Sequence, residues 1–432
     1  RGYQKEGFYW IKTLKHNQFG GILADDMGLG KTLQVITFLW SEFQESAPGE
    51  NRRALVITPA SLVFNWMNEI ERFAPGLPAT VVTGDVKERK ALIKNAGERE
   101  VLITSYDLLK RDLKAYQNLD FAVQIIDEAQ YIKNHGTQVA KAVKEIRSEF
   151  RLALTGTPVE NRLSELWSIF DFLMPGFLYS YEKFRKEIEL PAVQYSNSDA
   201  IERLQKMIRP FVLRRLKRDV LKDLPDKLEK DMFSPLESEQ KELYEAHTER
   251  LRLMLGMQSD AEFRTSKLQI LAEITRLRQI CCYPGLVYEG YKGNSSKLEM
   301  CMELVQNAVN GGHKLLLFSQ FTTMLDVLAV RLKKAKVSFY MLTGSTSKEK
   351  RAQMVHAFNE DDTSVFCISL KAGGTGLNLT AADIVIHYDP WWNLAVQNQA
   401  TDRAHRIGQQ NVVSVYRLFM KDTIEERIRA LQ

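Results

Sequence analysis

Two series of short apolar runs constrain the fold of this chain more strongly than any other feature of its sequence. Each run has four or five residues and is followed by a polar or glycine-rich turn and then by a helical pattern. The first series comprises residues 21–24, 54–58, 101–104, 123–126 and 151–154, and the second comprises 314–318, 365–369, 384–387 and 412–416. Uninterrupted apolar runs separated by helices predict buried parallel strands. The sequence therefore predicts an α/β fold with two doubly wound parallel-sheet lobes.

The stretch between the two series, from about residue 160 to residue 300, has a different pattern. Its apolar residues recur at helical intervals, and it breaks at 223–226 and at 284–285. We interpret it as helical insertions joined by a connector. The predicted domains are a first lobe at 1–170, a helical protrusion with a basic connector at 171–235, a helical protrusion of the second lobe at 236–295, and a second lobe at 296–432.

The composition excludes several classes of protein. Hydrophobic residues make up 44% of the chain and charged residues 26%, which is typical of a globular protein and not of collagen or a disordered chain. No apolar run is long enough for a transmembrane helix, so we expect no membrane partner. Four cysteines without CxxC spacing favour a reducing compartment over a disulfide framework or structural zinc. Because the chain begins with Arg1 and has no signal peptide, we expect a piece of a longer protein.

Positive charge is concentrated in one segment. The net charge of the whole chain is only +5, which is weak evidence for a polyanionic partner. Residues 201–222, in contrast, contain eight basic and two acidic side chains. Two interpretations of this segment are equally open: a solvated helix face, or a contact with a phosphate backbone.

A glycine-rich turn follows the first predicted strand and opens a helix. Its glycines let backbone N–H groups close on phosphates, and the helix N-terminus adds positive potential. Lys31 would reach the β- and γ-phosphates of a nucleotide, and Thr32 would hold Mg²⁺. Asp25 stands where the strict phosphate-loop pattern has its first glycine, and the alternative is a tight turn without a ligand. The predicted cofactor-binding residues of this turn are Asp26, Gly28, Gly30, Lys31 and Thr32.

An acidic pair follows another predicted strand of the same lobe, about 100 residues after the phosphate loop. One carboxylate can hold Mg²⁺ through water, and the next can polarise the attacking water. A strand that ends in Asp-Glu is a weak signal alone, but the phosphate loop in the same lobe strengthens it. We assign Asp127 to the metal and Glu128 to the water, as catalytic residues together with Lys31.

Three residues of the second lobe are spaced by four and three positions. On a helix, this spacing places Gln399, Arg403 and Arg406 on one face. Two guanidiniums on one face suit a γ-phosphate whose charge spreads in the transition state. The alternative is an exposed helix with surface salt bridges, but the nucleotide site predicted in the first lobe favours the catalytic interpretation.

The order and spacing of these motifs resemble the Swi/Snf family, within the helicase-like ATPases of superfamily two. The sequences Leu-Thr-Gly-Thr-Pro-Val-Glu-Asn at 154–161 and Arg-Ala-His-Arg-Ile-Gly-Gln at 403–409 are more typical of Swi/Snf proteins than of strand-separating helicases. The other stretches that carry the resemblance are 3–4, 23–32, 58–63 with Trp66, 104–106, 127–130, 318–321, 369–379, 389–393 and 399–402.

The resemblance implies two RecA-like lobes with helical protrusions, ATP bound between the lobes, and double-stranded DNA along the mouth of the cleft. It implies that Gln4 reads the adenine, that Gly374 to Gly376 help close the lobes, and that Arg403 and Arg406 act as arginine fingers. The predicted ATP-contacting residues beyond the first phosphate loop are therefore Gln4, Gly374, Gly376 and Gln399. By the same resemblance we expect a monomer that acts on DNA or on DNA-bound proteins such as nucleosomes or polymerase. It would be nuclear in a eukaryote and cytoplasmic in a bacterium or archaeon.

The predicted nucleic-acid contacts have open alternatives. Residues 104–106, at a strand exit, bind DNA phosphates or form a capped turn. The basic stretch 209–218 touches DNA or braces the lobes. Trp391 stacks on a base or packs against its own lobe, and packing is the more common role of paired tryptophans. The predicted contacts are Thr104, Ser105, Tyr106, Arg214, Arg215, Lys217 and Trp391.

One position departs from the pattern of many relatives, which have His at the fourth position of the Asp-Glu-Ala-His box. Here the residue is Gln130, which can hydrogen-bond but cannot carry a proton. Metal binding and water activation rest on Asp127 and Glu128. The open question is how this box is coupled to residues 155–157 and through them to DNA.

Two functions follow as hypotheses. The first is a DNA-stimulated ATPase that uses ATP and Mg²⁺ to move along double-stranded DNA without separating its strands. The alternative is an ATP-controlled clamp for RNA or protein with little translocation. The basic segment and Gln130 leave room for the alternative.

Overall fold

The chain divides into two compact units, Arg1–Lys222 and Asp223–Gln432. The structure is a computed structural model, and it describes residues 1–45, 49–156, 163–194, 198–221, 225–256, 260–370 and 377–432. Among the helices within these ranges, none is long and apolar enough to cross a membrane.

The first unit is built on a seven-stranded parallel sheet with the strand order β3-β4-β2-β5-β6-β1-β7. Its strands are β1 Gly21–Leu23, β2 Ala54–Thr58, β3 Ala79–Val81, β4 Val101–Ser105, β5 Phe121–Ile126, β6 Ser148–Leu154 and β7 Val212–Leu213. Its helices are α1 Gly2–His16, α2 Lys31–Glu45, α3 Val63–Phe73, α4 Val86–Lys94, α5 Tyr106–Tyr116, α6 Gln138–Lys144, α7 Leu163–Leu173, α8 Tyr181–Phe184, α9 Leu190–Gln194, α10 Ser198–Ile208 and α11 Lys217–Val220.

The second unit is built on a six-stranded parallel sheet with the strand order β10-β11-β9-β12-β13-β8. Its strands are β8 Lys227–Ser234, β9 Leu315–Ser319, β10 Phe339–Leu342, β11 Val365–Ser369, β12 Ile384–His387 and β13 Val413–Met420. Its helices are α12 Ser238–Gly256, α13 Asp260–Cys282, α14 Ser296–Asn310, α15 Thr322–Lys334, α16 Lys348–Glu360, α17 Leu394–Thr401 and α18 Ile424–Leu431.

Each sheet is buried on both of its faces. In β2, Leu55 and Ile57 belong to one hydrophobic core, whereas Ala54 and Val56 belong to the core on the opposite face. In β9 of the second unit, odd- and even-numbered residues divide between two cores in the same way. Because successive side chains of a strand point to opposite faces, double burial requires an uninterrupted apolar run. The prediction of two parallel-sheet α/β lobes is confirmed.

The middle of the chain contains two strands in addition to the helical insertions that the sequence pattern predicts. Helices α7 to α13 lie there, but so do β7, which pairs with β1, and β8, which pairs with β13. The stretch assigned to a helical protrusion and connector thus adds one strand to each sheet. The chain divides into its two compact units between residues 222 and 223, and the finer boundaries at 170, 235 and 295 stay predictions.

Candidate active site

The polar motifs of the first unit follow neighbouring strands. Strands β2, β5, β6 and β1 are adjacent in the sheet and parallel. At or just beyond their carboxyl ends lie Thr58, Asp127, Thr155 and Asp25 respectively. Parallel strands place all their carboxyl ends at one edge of the sheet, which is where ligands of open α/β sheets bind. The topology therefore gathers the phosphate loop and the acidic pair at a single edge.

The phosphate loop has the backbone conformation that its glycines permit. Gly28 and Gly30 have φ values of +83° and +78°, in the left-handed region that glycine adopts without steric cost. Helix α2 begins at Lys31. The Lys31 Nζ donates to the carbonyl oxygens of Asp25 at 2.5 Å and Asp26 at 3.3 Å. The lysine thus lies over its own loop.

The electrostatics around Lys31 are mixed. Burial lowers the pKa of its ammonium group below the usual value, while the carboxylates of Glu128 and Asp127 act in the opposite direction. A desolvated ammonium beside two carboxylates has little water to lose when a phosphate arrives. The loop is therefore prepared for an anionic ligand whose charge replaces the missing solvation.

Gln4 packs directly against the phosphate loop. Its Nε2 donates to the carbonyl of Leu29 at 3.2 Å, and the hydroxyl of the neighbouring Tyr3 donates to the same carbonyl at 2.9 Å. A Cβ atom on Gly30 would lie 2.6 Å from this Nε2, so a larger residue would displace the Gln4 side chain, and the φ of +78° itself favours glycine. Helix α1 therefore positions Gln4 beside the predicted nucleotide, and its reading of adenine stays a prediction.

Asp127 is held by three donors. Its Oδ2 accepts from the Trp66 indole at 2.9 Å and from the Thr58 hydroxyl at 3.3 Å, and its Oδ1 accepts from the backbone N–H of Glu128 at 2.9 Å. Burial, and after it the charge of Glu128, raise the pKa of Asp127 to about 6, whereas the bond from Trp66 opposes this shift. A nearby divalent cation would favour the ionised form of such a carboxyl group.

Trp66 and Thr58 are partners that sequence reasoning did not assign. Thr58 ends β2, next to β5 in the sheet, and Trp66 lies in α3 just beyond it. Thr58 could have been predicted as a partner of Asp127, because it is a polar residue at the end of the strand next to β5. The indole of a helix residue carries no comparable sequence signal, because its direction depends on how α3 packs.

Glu128 has an unusual backbone conformation. Its φ and ψ are 52° and 61°, in the left-handed region, which costs a residue with a side chain about 1–3 kcal/mol. Its side chain is buried. The conformation persists because the turn is fixed on both sides, by the Asp127 carboxylate before it and by the short 3₁₀ helix Ala129–Ile132 after it. Backbone strain of this kind is concentrated at functional sites.

Gln130 joins Glu128 to the turn after β6. Its Nε2 donates to Glu128 Oε2 at 2.8 Å, and its Oε1 accepts from the Thr155 hydroxyl at 3.4 Å. A Cβ atom on the adjacent Gly156 would lie 2.9 Å from Met27 of the phosphate loop. The three motifs of the first unit are therefore in contact, and the Gln130 amide is hydrogen-bonded to both the acidic pair and the turn after β6.

The structure uses residues 104–106 as a capped turn. Thr104 is fully buried in β4, and the Ser105 hydroxyl caps α5 by accepting from the Leu108 N–H at 3.3 Å. Tyr106 is also buried, and its hydroxyl donates to the carbonyl of Asp127 at 2.7 Å. The capped-turn alternative therefore describes all three residues, and their burial argues against the assignment of these residues as DNA contacts.

The three predicted DNA contacts of the basic connector separate by exposure. Arg214 is exposed, whereas the Arg215 side chain is only 10% exposed and pairs with Asp25. Lys217 is buried, and its backbone N–H donates to the Asp26 carboxylate at 3.0 Å. Within this group only Arg214 retains the exposure that a phosphate contact needs. For Arg215, the ion pair lies within the first unit and argues against a contact with a DNA phosphate.

The tryptophan pair of the second unit also separates by exposure. Trp391 packs against the core that contains Leu316 and Phe318, which is the packing role the sequence favoured. Trp392 is 49% exposed, with the guanidinium of Arg278 5.2 Å from its ring centroid. The ring available for contact is therefore that of Trp392, and burial argues against Trp391 as a base-stacking residue.

The prediction that Gln399, Arg403 and Arg406 share one helix face is wrong. Helix α17 ends at Thr401, so only Gln399 lies on it, and the two arginines lie in consecutive turns beyond its C-cap, Asp402. The side chain of Gln409 fixes these turns by donating to three backbone carbonyls, those of Thr380, Ala382 and Ala404.

The two arginines differ in burial. Arg403 is 3% exposed, and its carbonyl accepts from the backbone N–H of Leu379 at 3.0 Å. Arg406 is half-buried, and its Nη1 donates to the carbonyl of Leu377 at 3.4 Å. Arg406 is therefore the more accessible guanidinium. The predicted ATP contacts Gly374 and Gly376 lie outside the described residues.

The second unit has its own strand-end carboxylate. Asp389 follows β12 and accepts from the hydroxyl of Ser319, at the end of the adjacent β9, at 2.5 Å. The backbone N–H of Gln320 donates to the same carboxylate at 3.3 Å. Burial raises the pKa of Asp389 above its usual value. Both units therefore place their motif residues at the carboxyl edge of a parallel sheet.

The donor set of the first unit fits a magnesium ion shared with a phosphate. Mg²⁺ takes oxygen ligands and is usually bound by one or two carboxylates together with substrate phosphates. Asp127 supplies a carboxylate, and Thr32 supplies a hydroxyl in the first turn of α2. In the parts of the chain that the structure describes, no group of three or more His, Cys, Asp or Glu side chains could hold a metal alone. The residues therefore fit a nucleotide-borne metal and not a closed cage.

Two parallel α/β lobes, with a phosphate loop and an acidic pair at one sheet edge, define a helicase-like ATPase core. The model of the SNF2-related domain matches residues 3–286, and the model of the helicase conserved C-terminal domain matches residues 296–408. The chain therefore belongs to the Swi/Snf family, as its motifs indicated.

Curated relatives agree with this membership. The chain is 41% identical over 434 residues to an uncharacterized ATP-dependent helicase of Mycoplasma pneumoniae, covering 100% of this chain and 41% of the relative. It is also 41% identical to the putative ATP-dependent helicase/translocase YwqA of Bacillus subtilis, covering 99% of this chain and 47% of the relative. The chain thus spans less than half the length of these relatives.

A solved structure supports the RecA-like fold. The SWI2/SNF2 ATPase core of Sulfolobus solfataricus in complex with double-stranded DNA is 37% identical to this chain. The match has a TM-score of 0.51 and covers 100% of this chain and 90% of the other.

Proposed function

We propose that this chain is the motor core of an ATPase that moves along double-stranded DNA without separating the strands. The observation that carries the proposal is the contact series from the phosphate loop to Glu128, Gln130 and Thr155 in the first unit. Such a series lets the hydrolytic site and the turn after β6 change together. A binding module that only needs nucleotide has no use for a strained glutamate joined to a second motif.

The first unit binds and orients the nucleotide in this proposal. The backbone N–H groups of the loop 26–31 surround the phosphates, and Lys31 leaves its carbonyl contacts for the β- and γ-phosphates. Asp127 and Thr32 would hold a Mg²⁺ ion, which when bound would neutralise charge on these phosphates. We assign recognition of the adenine to Gln4, which is hydrogen-bonded to the carbonyl of Leu29 in the loop.

Glu128 orients the attacking water. The bond from Gln130 Nε2 occupies Glu128 Oε2, and Oε1 would accept from the water. Phosphoryl transfer depends on positioning and electrostatics more than on covalent chemistry by the protein. The rigid turn therefore contributes chiefly by fixing where the water lies.

The second unit supplies positive charge to the γ-phosphate. We assign Arg406 as the arginine finger, because it is the more exposed guanidinium of the turn fixed by Gln409. Arg403, which is buried, supports this turn, and Gln399, Gly374 and Gly376 contribute to closing the second lobe on ATP. One ATP would thus be shared by both lobes, and hydrolysis would change how the lobes are held together.

Double-stranded DNA is the proposed track. The related Sulfolobus core was solved with double-stranded DNA, and exposed basic side chains such as Arg214 and Arg218 lie in the connector. Contacts with phosphates carry no sequence information and weaken with salt. Movement should therefore tolerate any sequence, slow at high ionic strength, and displace proteins bound ahead on the DNA.

The alternative, an ATP-controlled clamp for RNA or protein, had two motivations. One was the basic segment, and the other was the missing histidine, which left the coupling of the acidic box in doubt. The bonds of Gln130 to Glu128 and Thr155 weigh against the second motivation, and we therefore favour the motor.

The proposal is tested by comparing ATP hydrolysis with duplex DNA, single-stranded DNA and duplex RNA of equal length. The motor predicts strong stimulation by duplex DNA alone. Absence of a preference for duplex DNA would favour the clamp. Displacement of a triplex-forming oligonucleotide from a duplex then measures movement directly, with the Glu128→Gln protein as a control that binds but does not turn over.

A further inference from the structure

The connector after α10 lies along the phosphate loop. We define the connector clamp as residues 212–217, which include β7. The N–H of Ala24 donates to the carbonyl of Leu213 at 2.7 Å, and the N–H of Asp26 donates to the carbonyl of Arg215 at 3.0 Å. The N–H of Lys217 donates in return to the Asp26 carboxylate at 3.0 Å. The pairing of β1 with β7 therefore continues past both strands and into the phosphate loop.

Arg215 makes the side-chain contacts of the connector clamp with the phosphate loop. Its Nε donates to Asp25 Oδ1 at 2.9 Å, and its Nη2 donates to Asp25 Oδ2 at 2.5 Å. The same Nη2 donates to Gln34 Oε1 at 2.8 Å, and Nη1 donates to the carbonyl of Tyr3. The side chains of Arg215 and Asp25 are 10% and 0% exposed. Two parallel bonds between a planar guanidinium and a carboxylate fix orientation as well as distance.

Asp25 has contacts on two sides. Its carboxylate is bound by Arg215 and by Gln34 Nε2 at 3.2 Å, while its carbonyl oxygen accepts from Lys31 Nζ at 2.5 Å. A fully buried carboxylate is tolerated only when it is paired. The residue that replaces the first glycine of the strict loop pattern therefore depends on an arginine from 190 positions later in the chain.

We propose that Arg215 is a positioning residue for nucleotide binding, acting through Asp25 to fix the phosphate loop and the carbonyl groups around Lys31. This inference rests on the proposed nucleotide site. It gives the connector a further role: the segment that leads out of the first unit is hydrogen-bonded to the loop that would hold the phosphates. Because coupling between two sites is reciprocal, nucleotide in the loop should also stabilise the connector clamp.

Arg89 and Asp112 provide a matched control in the same unit. Arg89 Nε and Nη2 donate to the two Asp112 carboxylate oxygens at 2.5 and 3.1 Å, and the side chains are 7% and 3% exposed. This pair joins α4 and α5 and has the same two-bond geometry, but it does not contact the phosphate loop. Arg89→Met therefore measures how breaking a buried two-bond ion pair affects the stability of the unit in general.

The test measures equilibrium binding of a fluorescent ATP analogue with Mg²⁺, and thermal unfolding, for wild type, Arg215→Met, Arg215→Lys and Arg89→Met. Loss of a group that orients a binding residue typically costs about tenfold or more in affinity, so we expect Arg215→Met to lose at least about tenfold. Arg215→Lys keeps the positive charge but cannot make two parallel bonds to one carboxylate. This variant should lose less affinity than Arg215→Met. Arg89→Met should lower the melting temperature and keep the wild-type affinity.

Two results would overturn the inference: wild-type affinity in folded Arg215→Met, or an equal loss of affinity in Arg89→Met at the same loss of melting temperature. If Arg215→Met does not fold, the affinity of Arg215→Lys is the test. Wild-type affinity in that variant would contradict a role for the two-bond pair between Arg215 and Asp25. A wild-type protein that binds no nucleotide would instead overturn the proposed function, and this inference with it.

Discussion

Gln130 lies between Glu128 and Thr155, donating to the Glu128 carboxylate at 2.8 Å and accepting from the Thr155 hydroxyl at 3.4 Å. A neutral histidine can make the same pair of bonds, since one ring nitrogen donates and the other accepts. The amide differs in that it does not titrate between pH 5 and 8. The connection between the acidic box and the turn after β6 is therefore retained here with a side chain whose charge does not depend on pH.

This difference predicts distinct pH profiles for two substitutions. Gln130→His should support near wild-type turnover above about pH 8 and lose it as the pH falls through the usual histidine pKa of about 6.5. The protonated ring would pair with Glu128 and weaken it as a base. Gln130→Leu, which removes both bonds, should be slower by about 10–100-fold at every pH. Steady-state hydrolysis from pH 5.5 to 9 checks both, and a Gln130→Leu enzyme with wild-type rates would contradict the coupling.

Lys31→Ala should abolish ATP hydrolysis. The alanine leaves the glycine turn intact but removes the ammonium group that would contact the β- and γ-phosphates. Phosphate release by the purified protein with duplex DNA is the measurement. Arg147→Met is a suitable control, because Arg147 belongs to an exposed pair with Asp120 in the same unit. Wild-type hydrolysis by Lys31→Ala would show that the nucleotide site is misassigned.

Glu128→Gln should separate binding from turnover. The amide has nearly the same shape as the carboxylate but cannot act as a base for water, so hydrolysis should stop while the fluorescent ATP analogue still binds. A binding titration and a hydrolysis assay on the same preparation make the comparison. Appreciable hydrolysis by this variant would mean that another group activates the water.

Asp127 predicts a particular pH dependence of stability in the nucleotide-free protein. Its pKa is raised to about 6, so the folded state binds this proton more tightly than the unfolded state does. The contribution of Asp127 to the free energy of unfolding therefore falls as the pH rises from about 4 to 6 and is constant above pH 6. The free energy of unfolding of wild type, relative to Asp127→Asn, should decline by about 1–3 kcal/mol across this window. Urea unfolding at several pH values checks the sign, and a difference that is flat or rises with pH would contradict it.

Arg406 and Arg403 should have separable effects. Arg406→Ala is expected to lower kcat by about 10³-fold or more with little change in nucleotide binding, as for other arginine fingers. Arg403→Ala should mainly lower the melting temperature, because the side chain is buried. Single-turnover hydrolysis and thermal unfolding distinguish the two. An Arg406→Ala protein with an unchanged kcat would remove this residue from the catalytic set.

The sequence predicted the interior of both sheets but not their edges. All nine apolar runs form strands, and the four strands without a predicted run, β3, β7, β8 and β10, are the outermost strands of their sheets. An edge strand has one neighbour and is only partly covered, so it does not need an uninterrupted apolar run. The residues of β3 and β7 are all only half-buried.

The site was predictable to the extent that it follows from strand ends. Lys31, Asp127 and Glu128 lie at one sheet edge because parallel strands place their carboxyl ends together. The direction of individual side chains was not predictable in this way. Arg214 and Arg215 are adjacent and chemically identical, yet one is exposed and the other pairs with a buried carboxylate. Which of the two arginines is buried depends on where Asp25 lies in the fold. The local sequence around residue 215 does not give this information.

The central claim is that one ATP is shared by two separately folded units. The four cysteines of the chain all lie within the described residues and are buried. Dyes can therefore be attached selectively to cysteines introduced by Lys87→Cys and Lys333→Cys, at exposed positions of the two units. Energy transfer between the dyes is measured in the Glu128→Gln protein with ATP and Mg²⁺, with ADP, and without nucleotide. We predict a shift in transfer with ATP alone that disappears when Arg406→Ala is added. Identical transfer in all three states, with nucleotide shown to be bound, would contradict the account.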